Sequence, residues 1–252
     1  MNFRRNKFII LLAIGILTMA VVVGCTNKEQ NSTDTSSNET TEENSEIAEV
    51  KTMTGEELEK LNSEKKDEIL IIDVRSPEEY KAGHIPNAIN INIDEFESRL
   101  NEIEDLKDFP IITYCNSGKK SGQATEILVN NGFKDVTNAE GVKNYDYDLV
   151  HYEDVRGAAF EKLIADKDNI VLVDVRPEDQ VKKEGMIEGA INIPFDQIEN
   201  NLDKLPKDKT IAVYCNTGTK SAEAAKKLEE LGYENVVNSI EGVKEYSFKL
   251  SK

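Results

Sequence analysis

One internal repeat constrains this chain more than any other feature. Ile69-Leu70-Ile71-Ile72-Asp73-Val74-Arg75 returns as Ile170-Val171-Leu172-Val173-Asp174-Val175-Arg176. Ala88-Ile89-Asn90-Ile91 returns as Ala190-Ile191-Asn192-Ile193, and Tyr114-Cys115-Asn116-Ser117-Gly118 as Tyr214-Cys215-Asn216-Thr217-Gly218. Glu140-Gly141-Val142-Lys143 returns as Glu241-Gly242-Val243-Lys244. The offset varies from 100 to 102, so short insertions separate the copies. Two copies of this length describe two similar domains, because a solenoid stacks several shorter repeats. The whole chain of 252 residues allows for both, at roughly 100–200 residues per domain. The repeat places the domains at 50–148 and 149–252, with the boundary near Asp148–His151.

Within each copy, short apolar runs alternate with amphipathic stretches. Ile69–Ile72 and Ile111–Tyr114 are continuously apolar, as strands of a parallel sheet buried on both faces must be. After Cys115, Ala124, Ile127 and Leu128 fall at helical spacing, and Gly132 stands where a C-terminal cap belongs. The second copy repeats this with Ala224, Ala225, Leu228 and Leu231, then Gly232. Phe133 and Tyr233 follow the two glycines and can fold back on the helix ends. Strand, loop, helix and strand in succession predict an α/β domain with a mostly parallel sheet.

Each repeated cysteine ends a buried strand, and the next helix is expected five residues on. Ligands of open α/β sheets sit at the carboxyl ends of strands. The loops read Cys115-Asn116-Ser117-Gly118-Lys119-Lys120-Ser121 and Cys215-Asn216-Thr217-Gly218-Thr219-Lys220-Ser221. The glycine permits a tight curl that turns successive N–H groups inward. Those groups and the helix N-terminus form an anion cradle, with Lys120 or Lys220 at its rim. The same field favours thiolate over thiol, which makes the cysteine a nucleophile. A lone cysteine at a strand end is more often a small buried hydrophobe. The same loop built twice argues for chemistry.

The remaining composition excludes several classes. The net charge of −17 argues against a nucleic-acid partner, which needs a basic face. Two histidines, His84 and His151, and three scattered cysteines provide no zinc-ligand cluster. No metal and no cofactor are expected. His84, in a turn before a short strand, reads as a structural histidine with satisfied nitrogens, and His151 as a linker residue.

Residues 1–49 are not expected to fold. Arg4, Arg5 and Lys7 precede an apolar run, Phe8–Val23, interrupted by Thr18 alone among polar residues. This is a signal-peptide pattern, short for a membrane span of about 20 residues. It ends in Val22-Val23-Gly24-Cys25, which resembles a bacterial lipobox. Residues 1–24 are then a lipoprotein signal peptide, and Cys25 carries the lipid. Residues 25–49 form a polar, solvated linker unable to bury enough surface to fold. The expected location is the extracytoplasmic face of the cell membrane, lipid-anchored. An uncleaved anchor would put the folded part in the same place.

Asp73-Val74-Arg75, then Glu79-Tyr80, then Gly83-His84-Ile85-Pro86-Asn87-Ala88-Ile89-Asn90, followed by the Cys115 loop, resembles the rhodanese homology signature. The second copy resembles the family over about 150–250 with weaker signature residues. The resemblance implies two tandem rhodanese-like domains, each a mostly parallel five-stranded sheet flanked by helices. It implies that Cys115 and Cys215 accept a sulfane sulfur, as from thiosulfate or a persulfide, and pass it to a thiol or other thiophilic acceptor. The backbone at Asn116, Ser117, Gly118, Lys119, Lys120 and Ser121 would cradle the donor. Asn216, Thr217, Gly218, Thr219, Lys220 and Ser221 would do so in the second copy. Asp73, Arg75, Asp174 and Arg176 become supporting groups, although a polar pair closing a strand end is the plainer reading.

Loop length separates chemistries within that fold. The family's sulfurtransferases count six residues from cysteine to cation, and its phosphatases and arsenate reductases seven. Cys115 to Lys120 and Cys215 to Lys220 both count six. Asn and Lys stand where family loops often carry arginine, and Lys lacks the bidentate fork. Met186 and Glu188 replace His84 and Pro86 in the second copy, and Thr219 replaces Lys119. Tyr145 and Tyr246 are candidates for the family's late tryptophan. The first copy is thus the better candidate for activity. A persulfide- or thiol-binding module without turnover is the alternative. A phosphatase is disfavoured by the loop length, and a Cys115–Cys215 disulfide by the separate pockets.

Overall fold

The computed structural model describes residues 50–252. The expected signal peptide, Cys25 and the expected polar linker lie outside the described residues. Among the described residues no helix is long and apolar enough to cross a membrane.

The first domain runs β1 (Lys51–Met53), α1 (Gly55–Lys65), β2 (Leu70–Asp73), α2 (Pro77–Lys81), β3 (Ala88–Asn90), β4 (Ile111–Tyr114), α3 (Lys119–Asn130) and β5 (Val136–Ala139). Its five strands lie in the order β1-β5-β4-β2-β3, and every neighbouring pair is parallel. Every residue of β2 and β4 is buried, as expected of central strands, but Asp73 and Thr113 are buried polar residues within the apolar runs. Both faces are covered. Leu70, Ile72 and Ile111 pack with Leu128 of α3 and Phe133 on one side. Ile71, Ile112 and Tyr114 pack with Leu58 of α1 on the other. Burying one such side chain contributes about 1.5–3 kcal/mol.

The second domain repeats the order with β6 (Glu153–Val155), α4 (Gly157–Leu163), β7 (Ile170–Asp174), α5 (Glu178–Glu184), β8 (Met186–Ile187), β9 (Ile191–Asn192), β10 (Thr210–Tyr214), α6 (Thr219–Glu230), β11 (Val236–Ser239) and β12 (Leu250–Ser251). Its parallel sheet is β6-β11-β10-β7-β9. The sequence reading missed a short antiparallel ladder of β12 on β8. Its two strands are only two residues each, too short for alternation to show. In the first domain a single bridge, His84 to Val150, closes the corresponding place.

Local chemistry explains the helix ends. Thr54 and Ser76 form capping boxes with Glu57 and Glu79, and Pro77 opens α2. The second domain has Arg156 and Pro177 at these places, without side-chain caps. Gly132 and Gly232 have φ of 86° and 79°, and the amides of Phe133 and Tyr233 return to the Leu128 and Leu228 carbonyls.

Candidate active site

β4 and β10 are the middle strands of their sheets, so Cys115 and Cys215 both emerge at a central carboxyl end. The helix starts one residue earlier than expected, at Lys119 and Thr219. Gly118 and Gly218 act as N-cap in the left-handed region, with φ of 85° and 79°. That conformation turns the chain into the helix within three residues of the cysteine.

Both cysteines are free and buried. Their sulfurs face the start of the following helix. The Ser121 hydroxyl lies 3.3 Å from Cys115 Sγ and shares its one proton between that sulfur and Asn138 Oδ1 at 2.7 Å. Ser221 approaches Cys215 Sγ with its amide at 3.4 Å and its hydroxyl at 3.5 Å. Burial pushes the Cys115 thiol up, but the Ser121 hydroxyl and the amides of Ser121, Ser117 and Gly118 outweigh it. The thiol ends below its ordinary value.

The back of each loop rests on a second glycine. Gly141 lies so close that a Cβ there would come within 2.4 Å of the Asn116 backbone. At Gly242 the distance to the Asn216 backbone is 2.0 Å. The next amides close the contact. Val142 and Lys143 donate to the Cys115 and Asn116 carbonyls, both at 3.0 Å. Val243 and Lys244 repeat these bonds on Cys215 and Asn216.

The rims differ. Lys119 and Lys120 are exposed. Asn116 Nδ2 donates to Glu79 Oε1 at 2.7 Å. That bond, with a lesser contribution from Lys120, holds Glu79 below the usual carboxylate range. In the second domain Asn216 faces Gln180, and the two amides exchange hydrogen bonds at 2.8 and 3.2 Å. Lys220 is paired with Glu223 at 2.7 Å and lies over the Phe195 ring. Thr219 is exposed, Thr217 is half-buried, and Gly218 is buried where Gly118 is only partly so.

Asp73, Arg75, Asp174 and Arg176 sit beneath the loops. Arg75 grips Asp73 at 2.6 Å and the Gly83 carbonyl at 2.7 Å, and Tyr114 donates to Asp73 at 2.8 Å. Arg176 repeats this on Asp174 and the Gly185 carbonyl, both at 2.7 Å. These pairs tie the strand end to the following turn. They make no hydrogen bond to either cysteine loop among the described residues.

His84 departs from the expectation of a satisfied histidine. It is fully buried and stacked on Tyr80, and Nδ1 lies 3.2 Å from the Tyr80 carbonyl. Its Nε2 has no hydrogen-bond partner and stands 3.7 Å from Asp154 of the second domain. His151 bonds Glu229 on α6 at 2.9 Å, which fastens the linker. Tyr145 and Tyr246 cover Gly55 and Gly157 at the first turns of α1 and α4.

Two site residues escaped the sequence reading. Asn138 at the end of β5 donates to the Gly118 carbonyl at 3.0 Å and accepts from Ser121 at 2.7 Å. Asn238 occupies the same place, but its amide donates to Asp154 at 2.7 Å. Ser221 turns instead to the Gly218 carbonyl at 3.0 Å. A polar Asn closing the last apolar strand in both copies was the available signal.

Comparison with known proteins agrees with this architecture. The family model described as "Rhodanese-like domain" matches residues 54–144 and 158–249. Thiosulfate sulfurtransferase PspE of Escherichia coli (strain K12) is 44% identical over 73 residues, covering 29% of this chain and 70% of that protein. A sulfurtransferase of Allochromatium vinosum is 29% identical over 90 residues, covering 36% of this chain and 83% of that protein. A tRNA uridine(34) hydroxylase of Cytophaga hutchinsonii is 33% identical over 79 residues, covering 30% of this chain but 25% of that protein. With two matched domains that together span most of its length, this chain belongs to the rhodanese-like family as a tandem rhodanese-domain protein.

Proposed function

We propose that this protein is a sulfurtransferase that carries a sulfane sulfur on Cys115, with Cys215 as a second carrier. The observation that supports this most is the Ser121 hydroxyl 3.3 Å from a buried sulfur at the start of α3, on a thiol held below its ordinary value. That arrangement stabilises a thiolate and leaves the exposed lysine rim for an anion. The six-residue loop favours sulfur over a phosphoryl group.

With thiosulfate as donor, the Cys115 thiolate attacks the outer sulfur. A new S–S bond forms as the bond to the sulfonate sulfur breaks, and sulfite leaves with that electron pair. The resulting persulfide keeps its negative charge inside the amide cradle. An acceptor thiolate then attacks the outer sulfur, and Cys115 leaves as thiolate. A persulfide donor reacts in the same way, with its inner thiolate as leaving group. The donor class is therefore a small anion with a sulfane sulfur, and the acceptor is a thiol.

We place the protein on the extracytoplasmic face, held by a lipid on Cys25. The Gly24-Cys25 end of the apolar run supports that reading. Labelled fatty acid entering the chain, and lost in Cys25→Ser, is the expected result in growing cells.

Purified protein given thiosulfate and cyanide tests the activity. Cys115→Ser is expected to lose most thiocyanate formation, and Cys115→Ser with Cys215→Ser all of it. Mass spectrometry should find one added sulfur on the Cys115 peptide. Undiminished product from the double variant would overturn the proposal. A stable persulfide without turnover would favour a binding or sensing module.

A further inference from the structure

The two cysteine loops share a sequence pattern and the glycine behind them, but the support at Gly118 and Gly218 differs. Between the last strand and the Glu-Gly turn, the first copy reads Asn138-Ala139-Glu140-Gly141 and the second Asn238-Ser239-Ile240-Glu241-Gly242. Ile240 is an inserted residue. It is 8% exposed and packs into the first domain's apolar cluster beside Leu70 and Phe109. Its carbonyl accepts from Lys66 of the first domain at 2.8 Å. Its amide donates to Val155 of β6 at 3.0 Å. On its other side the same carbonyl backs onto the Cys215 loop. A Cβ on Gly218 would stand 2.2 Å from Ile240 O, whereas one on Gly118 would meet nothing nearer than Asn138 Nδ2 at 3.9 Å. Three residues on, Val243 bonds the Cys215 carbonyl. The first copy has no inserted residue here, while Glu140 and Glu241 alike accept from Gly55 and Gly157 of their own domains, at 3.0 and 2.6 Å.

We infer that Lys66 and Ile240 are positioning residues for Cys215, so that docking of the first domain sets the shape of the second domain's cysteine loop. In the first domain the Asn138 amide holds the Gly118 carbonyl directly. In the second, Asp154 has taken the Asn238 amide. Ile240, pressed in place by Lys66 and the first domain's core, becomes the support behind Gly218. Without it, the loop gains room to turn its amides away from the sulfur, and the thiolate loses stabilisation.

The inference rests on Cys215 working as a thiolate, so its test reads alkylation as well as sulfur loading. The full chain is treated with iodoacetamide at one fixed pH, and the alkylation rate of each cysteine peptide is followed by mass spectrometry. Lys66→Met and Ile240→Ala are expected to slow Cys215 about three- to ten-fold. The Cys115 rate stays in place. Ile240→Val, which keeps most of the peg, restores the parental Cys215 rate. The inference is overturned if the Cys215 rate is unmoved in both variants. It is overturned equally if the Cys115 and Cys215 rates move together, because that reports general loosening. If the rate falls as expected while the parent never loads sulfur on Cys215, the positioning role stands and the sulfur-carrier reading of Cys215 falls.

Discussion

At the residue scale, the cysteine and the buried ion pair beneath it do separate work. Cys115 owes its lowered thiol value to donors that outweigh burial, with Ser121 foremost among them. Alkylation of Cys115 should follow a pH profile whose midpoint lies below that of an ordinary thiol, near 8.5. Removing the hydroxyl in Ser121→Ala moves the midpoint up and slows reaction at neutral pH about three- to ten-fold. The thermodynamic sign is that of a depressed acid. The contribution to stability is full above the unfolded thiol value and fades as pH falls through the folded one. Asp73→Asn is expected to act on the fold instead. It leaves Arg75 buried without its carboxylate and should cost about 3–5 kcal/mol in urea unfolding. If it slowed Cys115 alkylation at full stability, Asp73 would belong to the site chemistry.

At the element scale, the strand–loop–helix unit is made by glycines with different tasks. Gly118 is required for its φ of 85°, and the space beside it is open. Gly118→Ala should therefore cost about 1–2 kcal/mol, the penalty of the left-handed region. Gly218 carries the same conformational demand and also lies against Ile240 O. Its alanine variant must displace backbone and should cost about 1–3 kcal/mol more. Paired urea titrations of the two variants measure that difference, and equal losses would show that the Ile240 segment yields. The capped helices of the first domain follow the same local logic. Thr54→Ala removes the side-chain half of a capping box, leaving Glu57 on the backbone amide, and should cost about 1 kcal/mol.

At the scale of the whole molecule, the domains share buried polar and apolar groups. The Asn87 amide donates to Asp154 at 2.6 Å, and the Asp154 amide to the Tyr80 hydroxyl at 3.0 Å. Arg156 joins Glu241 to Asp105 of the first domain, with both ion pairs at 2.9 Å. Unfolding in urea should therefore be one transition, coincident by circular dichroism and by tyrosine fluorescence. Arg156→Ala is expected to destabilise it by about 1.5–3 kcal/mol and to begin separating the domains. Arg156 holds Asp105 below its usual range through hydrogen bonds that outweigh partial burial. The share owed to Asp105 is present above the ordinary carboxylate value and lost as pH falls through the lowered one. The gap between parent and Arg156→Ala should narrow in that acid range.

By itself, the sequence determined the two α/β domains, the central strands before each cysteine and the helix after it. Those features rest on local signals, namely continuous apolar runs, helical spacing and glycine punctuation, and a repeat doubles every such signal. It also put Ser121 and Ser221 six residues after their cysteines, in what the structure shows as the first turn of α3 and α6. Tertiary structure alone decided the rest. Asn138 reaches the Cys115 loop from a strand seventeen positions later along the chain. His84 faces Asp154 across a domain boundary. Ile240 looks like any apolar residue after a strand until the first domain is seen to receive it. These contacts join groups far apart along the chain, through packing that no local period records, and through them two nearly identical loops acquire different surroundings.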